Sequence, residues 1–396
     1  MSRSEDMSEK LVKQTIGNVF NQLADALISG EYGQKPKVAV TALGSEHGED
    51  EVIKAAQGAL KFGIDVTLIG SKDSEGVNTV LVDSEDEAHK KMEELLDSGN
   101  VDAAVTMHYP FPIGVSTVGR IITPGMGKEM FIATTTGTSS TDKVEGMVKN
   151  AIYGIITAKA CGIKNPRVGI LNVDGARQTE IALNKLKNKG YEINFAESKR
   201  SDGGAVMRGN DLLTGSADVM VMDSLTGNLM IKIFSSYTTG GTYESLGYGY
   251  GPGIGENFNK LILIISRASG APLIEGAMRF AGDLIKGKCL QIAKEEFEKA
   301  KKAGLHELLE ELKASKKPAE ETEVKAPPKE VVTSQISGIE IMDLEDAVKL
   351  LWKNGVYAES GMGCTGPIIL VNEAKTNEAL KILADNDYIA KEQADC

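Results

Sequence analysis

The chain has 396 residues, 41% hydrophobic and 25% charged, with a formal net charge of -12. Gly reaches 43 while Phe, Tyr and Trp number 9, 10 and 1, which suits an aliphatic-cored α/β protein long enough for one large domain and a smaller one. The acidic balance, with no Lys/Arg run interleaved with aromatics, argues against nucleic acid. The polar residues 1–10 and the short aliphatic run 261–265 argue against export and membrane insertion, so a cytoplasmic location is expected.

Leu11, Thr15, Ile16, Val19, Leu23, Ala26 and Leu27 recur at helical spacing and predict an opening helix that stops at Gly30. Residues 37–42 then read as an aliphatic strand, 44–48 as a turn, 50–62 as a helix and 65–69 as the next strand, which is a βαβ unit. Further strands are predicted at 103–107, 130–134, 167–172, 192–195, 219–223 and 261–265, with helices between most of them, including 158–161 and 284–293. The fold class that follows for residues 1–310 is α/β, an open, largely parallel, doubly wound sheet. Ligands bind such sheets beyond the carboxyl ends of the strands, so the loops at Gly44, His108, Thr135, Asn172 and Asp223 are expected to converge. His47 and His108 stand at predicted strand ends and are candidate acid/base groups.

Residues 295–313 read as a charged helix, and 314–331 as a flexible Lys/Glu/Pro linker. Residues 334–396 resume α/β character as a small tethered module, with a helix capped by Asp343, a Gly-rich turn, a strand at 368–371 and a helix at 374–383. About 20 flexible residues reach about 25 Å, the scale of a domain, so the module is expected to swing.

The four cysteines, Cys161, Cys289, Cys364 and Cys396, form no CxxC pair, and the four histidines are scattered, so neither a disulfide framework nor a metal centre is expected. Cys161 and Cys289 fall in predicted helices and read as packing residues. Cys364 is different. Gly361, Gly363, Thr365 and Gly366 surround it, and successive backbone N–H groups at such a turn would favour a thiolate and later hold an oxyanion. Lowering a thiol from pKa 8.5 to about 7 raises its ionised share at pH 7 from about 3% to about half. Cys364 is the candidate nucleophile, set against the plainer reading of a small apolar residue in a tight turn.

Residues 218–233, with Asp223, Thr226, Gly227, Asn228 and Lys232, resemble the acyl-carrier-protein-dependent phosphate acyltransferase family, as do residues 40–48 and 162–172. The resemblance implies a sheet like those of phosphate acyltransferases and isocitrate dehydrogenases, and the formation of an acyl phosphate from a thioester. Thr226, Gly227, Asn228, Lys232 and Arg267 become phosphate-binding candidates, with Arg120 as a further cation. The Gly/Tyr run at 247–255 reads either as a second phosphate loop or lid, or as a plain turn.

Over its whole length the chain is similar to the family of component C alpha subunits of glycine/sarcosine/betaine reductase complexes, in which the acyl-bearing cysteine falls on Cys364. That similarity implies an acetyl thioester on Cys364 whose acetyl group passes to inorganic phosphate, giving acetyl phosphate. It also implies the component C beta subunit and a carboxymethyl-bearing selenoprotein A as partners, and no cofactor beyond the phosphate substrate. Two alternatives stay open, a free-standing phosphate acyltransferase of lipid synthesis and a non-catalytic assembly subunit. The donor amine and the stoichiometry with the beta subunit are not legible.

Overall fold

A computed structural model describes residues 35–199, 203–315, 324–339, 343–363, 366–386 and 388–389, together with residues 17, 20, 23, 24 and 27, which are helical. The remainder of the expected opening helix, residues 316–323 of the expected linker, Cys364, Thr365 and Cys396 lie outside the described residues.

Among the described residues twelve strands share one sheet: β1 (Lys37–Thr41), β2 (Asp65–Gly70), β3 (Asn78–Leu81), β4 (Ala103–Thr106), β5 (Val115–Ile122), β6 (Glu129–Thr138), β7 (Arg167–Leu171), β8 (Asn194–Phe195), β9 (Val206–Met207), β10 (Val219–Val221), β11 (Gly251–Ile254) and β12 (Ile262–Ile264). The order is β3-β2-β1-β4-β12-β11-β5-β6-β10-β7-β8, with β9 on β7. Strands β1, β4, β10 and β12 are buried on both faces, which is why they read as near-continuous apolar runs, broken only by Lys37 and the buried Thr41 and Thr106, rather than as alternating ones. Helices α1 (Glu49–Ala59), α2 (Glu85–Asp97), α3 (Lys143–Ala160), α4 (Ala176–Asn188), α5 (Gly209–Thr214), α6 (Ser224–Ser236) and α7 (Ala271–Lys286) cover the sheet. Helix α3 is the most buried; Gly154 lets it approach β10 so closely that a Cβ there would lie 2.3 Å from Val219 Cγ1.

The sheet is mostly parallel, with one departure that the strand pattern did not announce. Strand β5 runs antiparallel to both β6 and β11, and β11 antiparallel to β12. These three reversals make the β3–β12 half run opposite to the β6–β8 half, so the carboxyl ends of the two halves face opposite edges. The Gly/Tyr run at 247–255 supplies β11 with its residues 251–254, and Tyr250 just before the strand lines the cavity described below. A Cβ on Gly251 would lie 1.8 Å from the Val118 carbonyl oxygen, and Gly251 sits at φ +83°, so only glycine fits this crossing.

Two helix boundaries also differ from expectation. Residues 284–293 do not form one helix: α7 ends at Lys286, and α8 (Cys289–Lys302) begins after Lys288, which adopts φ 53°. The expected 295–313 helix is likewise divided, because Gly304 at φ +84° separates α8 from α9 (Leu305–Ser315).

Beyond residue 333 a second, antiparallel sheet is built from β13 (Ser334–Ser337), β14 (Ala358–Gly363) and β15 (Gly366–Val371), in the order β13-β15-β14. Helices α10 (Leu344–Lys353) and α11 (Thr376–Asp385) contribute Ala347, Leu351, Ala379 and Leu383 to its own apolar core, with Ile369 and Val371 from the sheet. The expected linker is shortened at both described ends. Residues 314 and 315 belong to α9, while Lys329 lies 3.5 Å from Glu359, Glu330 2.6 Å from Lys375, and the Thr333 N–H donates to Val371 O.

Candidate functional site

A cavity of about 730 Å³ opens where the two halves of the sheet meet. From the β1 side come Glu46 and, after β4, Met107 to Phe111; after β12 come Ser266 and Arg267; from β6 and α6 come Thr136 to Thr138, Asn228 and Lys232. One wall is thus polar, with Lys232 and Arg267 set beside the acidic Glu46. The other is apolar, formed by Tyr109 and Phe111, whose rings meet edge-on at 5.0 Å, with Ile113. Such a pairing of a few convergent polar groups with an apolar wall is characteristic of small-molecule sites. A separate groove of about 550 Å³, lined by Lys159, Lys164 and Lys187 before β7, gathers none of the expected site residues.

Of the sequence-derived candidates, His108, Asn228, Lys232 and Arg267 reach this cavity together. Asn228 is oriented by its own Nδ2, which donates to Thr135 O at 3.0 Å. Lys232, one turn further along α6, places Nζ 3.5 Å from Glu244 and 5.6 Å from the Tyr250 ring centre. Arg267 is already engaged: its guanidinium donates to both Glu85 oxygens at 3.0 and 2.7 Å and to Gly44 O at 2.9 Å. The same pairing holds the Glu85 carboxyl below its ordinary range. An anion at Arg267 must share it with Glu85, and an anion at Lys232 must share it with Glu244, at the longer distance of 3.5 Å. Arg120 is not at the cavity. It is buried against Glu129 and Asp283 and stacked 4.3 Å over Tyr248, as a structural ion cluster.

Thr226 and Gly227 serve the helix rather than the cavity. The Asp223 carboxylate caps α6, accepting from the Thr226 N–H at 3.0 Å and the Thr226 hydroxyl at 2.7 Å. The Gly227 N–H donates to Asp223 O, and a Cβ on Gly227 would lie 1.7 Å from the Thr134 carbonyl oxygen. Gly227 is thus a close-approach glycine where α6 crosses β6, which corrects its expected place at the phosphate. Of the five expected loops, Gly44, His108 and Thr135 belong to this region through Arg267, the cavity wall and Asn228. Asp223 instead lines a neighbouring cavity of about 300 Å³ between the starts of α3 and α6. Asn172 lines neither cavity.

His47 is exposed, with Nε2 3.3 Å from Ala268 O and its ring edge-on to Tyr243, and it does not line the cavity. His108 does line it, and its ring lies 6.4 Å from that of His89. One group escaped the sequence reading. Glu244 is only 4% exposed, accepts from the Tyr250 hydroxyl at 3.1 Å through Oε1, and keeps Oε2 buried without a hydrogen-bond partner among the described residues. Burial and the Glu244 carboxylate push the Tyr250 hydroxyl well above its ordinary range, so it stays protonated as a donor. Nothing local marks Glu244, which arrives from a loop after α6 and is fixed by backbone bonds to Ala268 and Gly270.

In the second sheet, Gly363 pairs with Gly366 and Gly361 with Ile368. Gly361 lies in extended strand, where successive N–H groups point to opposite sides, so it does not contribute to a cradle of consecutive amides. Cys364 and Thr365 connect β14 to β15 and lie outside the described residues. The two remaining cysteines within the described chain are chemically quiet: burial pushes the Cys161 and Cys289 thiols up to about 12.

A mostly parallel α/β sheet with a polar-and-apolar cavity at its centre defines the class, and the comparisons name it: the chain belongs to the fatty acid synthesis protein family, whose pattern matches residues 36–370. It is 62% identical over 382 residues to the glycine/sarcosine/betaine reductase complex component C subunit alpha of Peptoclostridium acidaminophilum, covering 96% of this chain and 99% of that one. It is 29% identical over 238 residues to a phosphate acyltransferase of Bacillus anthracis, covering 50% of this chain and 70% of the relative. A branched-chain phosphotransacylase from Enterococcus faecalis V583 aligns over 63% of this chain and 99% of its own at 14% identity and a TM-score of 0.43. Among the described residues no helix is long and apolar enough to cross a membrane.

Proposed function

We propose that this chain is the acyl-transferring alpha subunit of a glycine/sarcosine/betaine reductase component C, carrying an acetyl thioester on Cys364 and passing the acetyl group to inorganic phosphate. The observation that carries the reading is the convergence of Asn228, Lys232, Arg267 and His108 on one cavity with an apolar wall, in a chain 62% identical to such a subunit. A phosphate oxygen attacks the thioester carbonyl carbon; the new C–O bond forms, the C–S bond breaks, and acetyl phosphate leaves. The Cys364 thiolate takes up the proton that the attacking phosphate gives up. Both thioester and acyl phosphate are activated, so the transfer conserves acyl energy.

In this scheme the Lys232 ammonium and the Asn228 amide hold phosphate, and the protonated Tyr250 hydroxyl stiffens Glu244 beneath Lys232. The second sheet brings Cys364 to the cavity across the segment joining α9 to β13. The two-carbon unit comes from the carboxymethyl group of selenoprotein A: its carbon–selenium bond breaks with two electrons supplied by that carrier, which ends oxidised, and its carboxyl condenses with the Cys364 thiol with loss of water; the component C beta subunit is the partner, in the cytoplasm.

The test is to load the reconstituted complex with carboxymethylated carrier, isolate this chain and weigh it by mass spectrometry before and after adding phosphate. An acetyl increment on the peptide containing Cys364, lost with stoichiometric appearance of acetyl phosphate, is the expected result. A chain that never carries an acyl group is an assembly subunit instead. A Cys364→Ala chain that still makes acyl phosphate from an acyl carrier is a free-standing phosphate acyltransferase.

A further inference from the structure

The cations of the cavity come already matched to carboxylates. Lys232 stands 3.5 Å from Glu244 and Arg267 2.7 Å from Glu85, while Glu46 lines the cavity as a third carboxylate, within the field of Arg267. Three acidic side chains thus stand against two fixed cations, and an incoming tetrahedral anion adds to the excess. Tyr250 cannot offset it, since burial and Glu244 keep its hydroxyl protonated and neutral. Among the described residues that line the cavity, only His108 can gain a positive charge near neutral pH.

The setting of His108 suits that task. It is exposed, it follows β4, and its carbonyl accepts from the Thr106 hydroxyl at 3.3 Å, which fixes its backbone. Among the described residues its imidazole has no hydrogen-bond partner, so both ring nitrogens are available. His89 differs: its Nε2 lies 3.2 Å from the Thr106 hydroxyl, and it does not line the cavity. The charged groups around His108 come from every neighbouring element. Helix α2 supplies Glu85 and His89, whose ring is 6.4 Å away; the loop after β1 supplies Glu46, α6 Lys232, and the turn after β12 Arg267. Behind the adjacent Tyr109, whose hydroxyl donates to Glu93 at 2.6 Å, Lys260 lies 4.0 Å from the same carboxylate.

We propose that His108 takes up a proton as the anion enters, so that the cavity binds phosphate and a proton together. This rests on phosphate being the acyl acceptor, and it names how the site accommodates that charge. The linkage has a definite sign. Lys232, Arg267 and any charge on His89 oppose protonation of His108, while Glu46 and Glu85 favour it; a bound anion joins the second group and raises the proton affinity of the imidazole. By reciprocity, protonation of His108 strengthens anion binding, which therefore weakens as pH rises through the range where the imidazole titrates.

Isothermal titration calorimetry of the full chain with inorganic phosphate, in two buffers of different ionisation enthalpy, counts the protons. Near pH 7 the wild type is expected to take up at least about half a proton more per phosphate than His108→Gln, a difference from which the ionisation of phosphate itself cancels. The dissociation constant of the wild type relative to that of the variant should rise about tenfold from pH 6 to pH 8. His89→Gln should behave as the wild type. Sulfate, which stays a dianion over this range, gives the same count on the wild type alone and decides the matter where the variant loses binding. Equal proton counts in wild type and His108→Gln overturn the proposal, as does sulfate bound without a proton or an uptake that disappears in His89→Gln. A chain that binds no phosphate at all gives a different result, which refutes the acceptor reading itself and this inference with it.

Discussion

Lys232 Nζ lies 3.5 Å from a carboxylate oxygen of Glu244, a residue that the chain reaches only after a further turn and loop and then buries to 4% exposure. The pair sets a half-exposed cation on a buried anion at the edge of the cavity. Its geometry fixes where the cavity edge carries positive charge, and the Tyr250 hydroxyl fixes the carboxylate in turn.

Replacing Lys232 by Met should therefore raise the KM for phosphate about tenfold, roughly the 1.4 kcal/mol of one charge-assisted hydrogen bond, with a smaller change in kcat. Because Lys232 is half-exposed, the wild-type KM should rise with added sodium chloride and that of the variant should be less sensitive. Steady-state phosphate titrations at several salt concentrations measure both. A variant with unaltered KM removes Lys232 from phosphate binding.

Thiol labelling should separate the cysteines sharply. With pKa values pushed up to about 12 by burial, Cys161 and Cys289 hold only about one part in ten thousand as thiolate at pH 8. Iodoacetamide at that pH should modify Cys364 at least a hundredfold faster than either, as counted by peptide mass spectrometry. Equal rates would refute an activated Cys364.

Gly227→Ala tests the reassignment of that glycine. The added methyl would sit 1.7 Å from the Thr134 carbonyl oxygen, so α6 has to move away from β6, at an expected cost of about 2–4 kcal/mol. Urea unfolding should show a lower midpoint. An unaltered midpoint with lost phosphate affinity would return Gly227 to the binding site.

Asp211 sets a pH dependence of stability. Burial raises its pKa, but hydrogen bonds from the Lys199 and Arg208 N–H groups and the Ser198 and Ser216 hydroxyls outweigh that and hold it below its ordinary value. The unfolded chain thus binds more protons there than the native one, so the contribution is complete above the ordinary value of 3.8 and is lost as pH falls through the native one. Asp211→Asn should lower the unfolding free energy at pH 7 and reduce its decline between about pH 4 and pH 2. Parallel declines in variant and wild type would rule out this linkage.

How far the sequence reaches can be judged from particular segments. The run 37–42 and the following helix and strand were legible because a strand covered on both faces reads as a near-continuous apolar run, as Val38, Ala39 and Val40 of β1 do. The Asp223 cap of α6 went unread although its capping bonds span only three residues, because residues 219–223 read as one strand, which ends at Val221. The run at 247–255 was not legible either, because glycines carry no side-chain pattern and β11 is selected by the carbonyl of Val118, more than a hundred residues away. The pairing of Arg267 with Glu85, 182 residues apart, was invisible for the same reason.

The sequence by itself determined the local elements, the apolar strands and the candidate groups His108, Asn228, Lys232 and Arg267. Only the tertiary structure decided which way the two halves of the sheet run, which glycines are there for close packing, which cations are already paired, and that Glu244 lies beneath Lys232. The physical reason is range. Propensity, capping and burial patterns act over a few residues and leave their mark in composition, whereas strand direction and charge pairing depend on segments that meet only once the chain has folded.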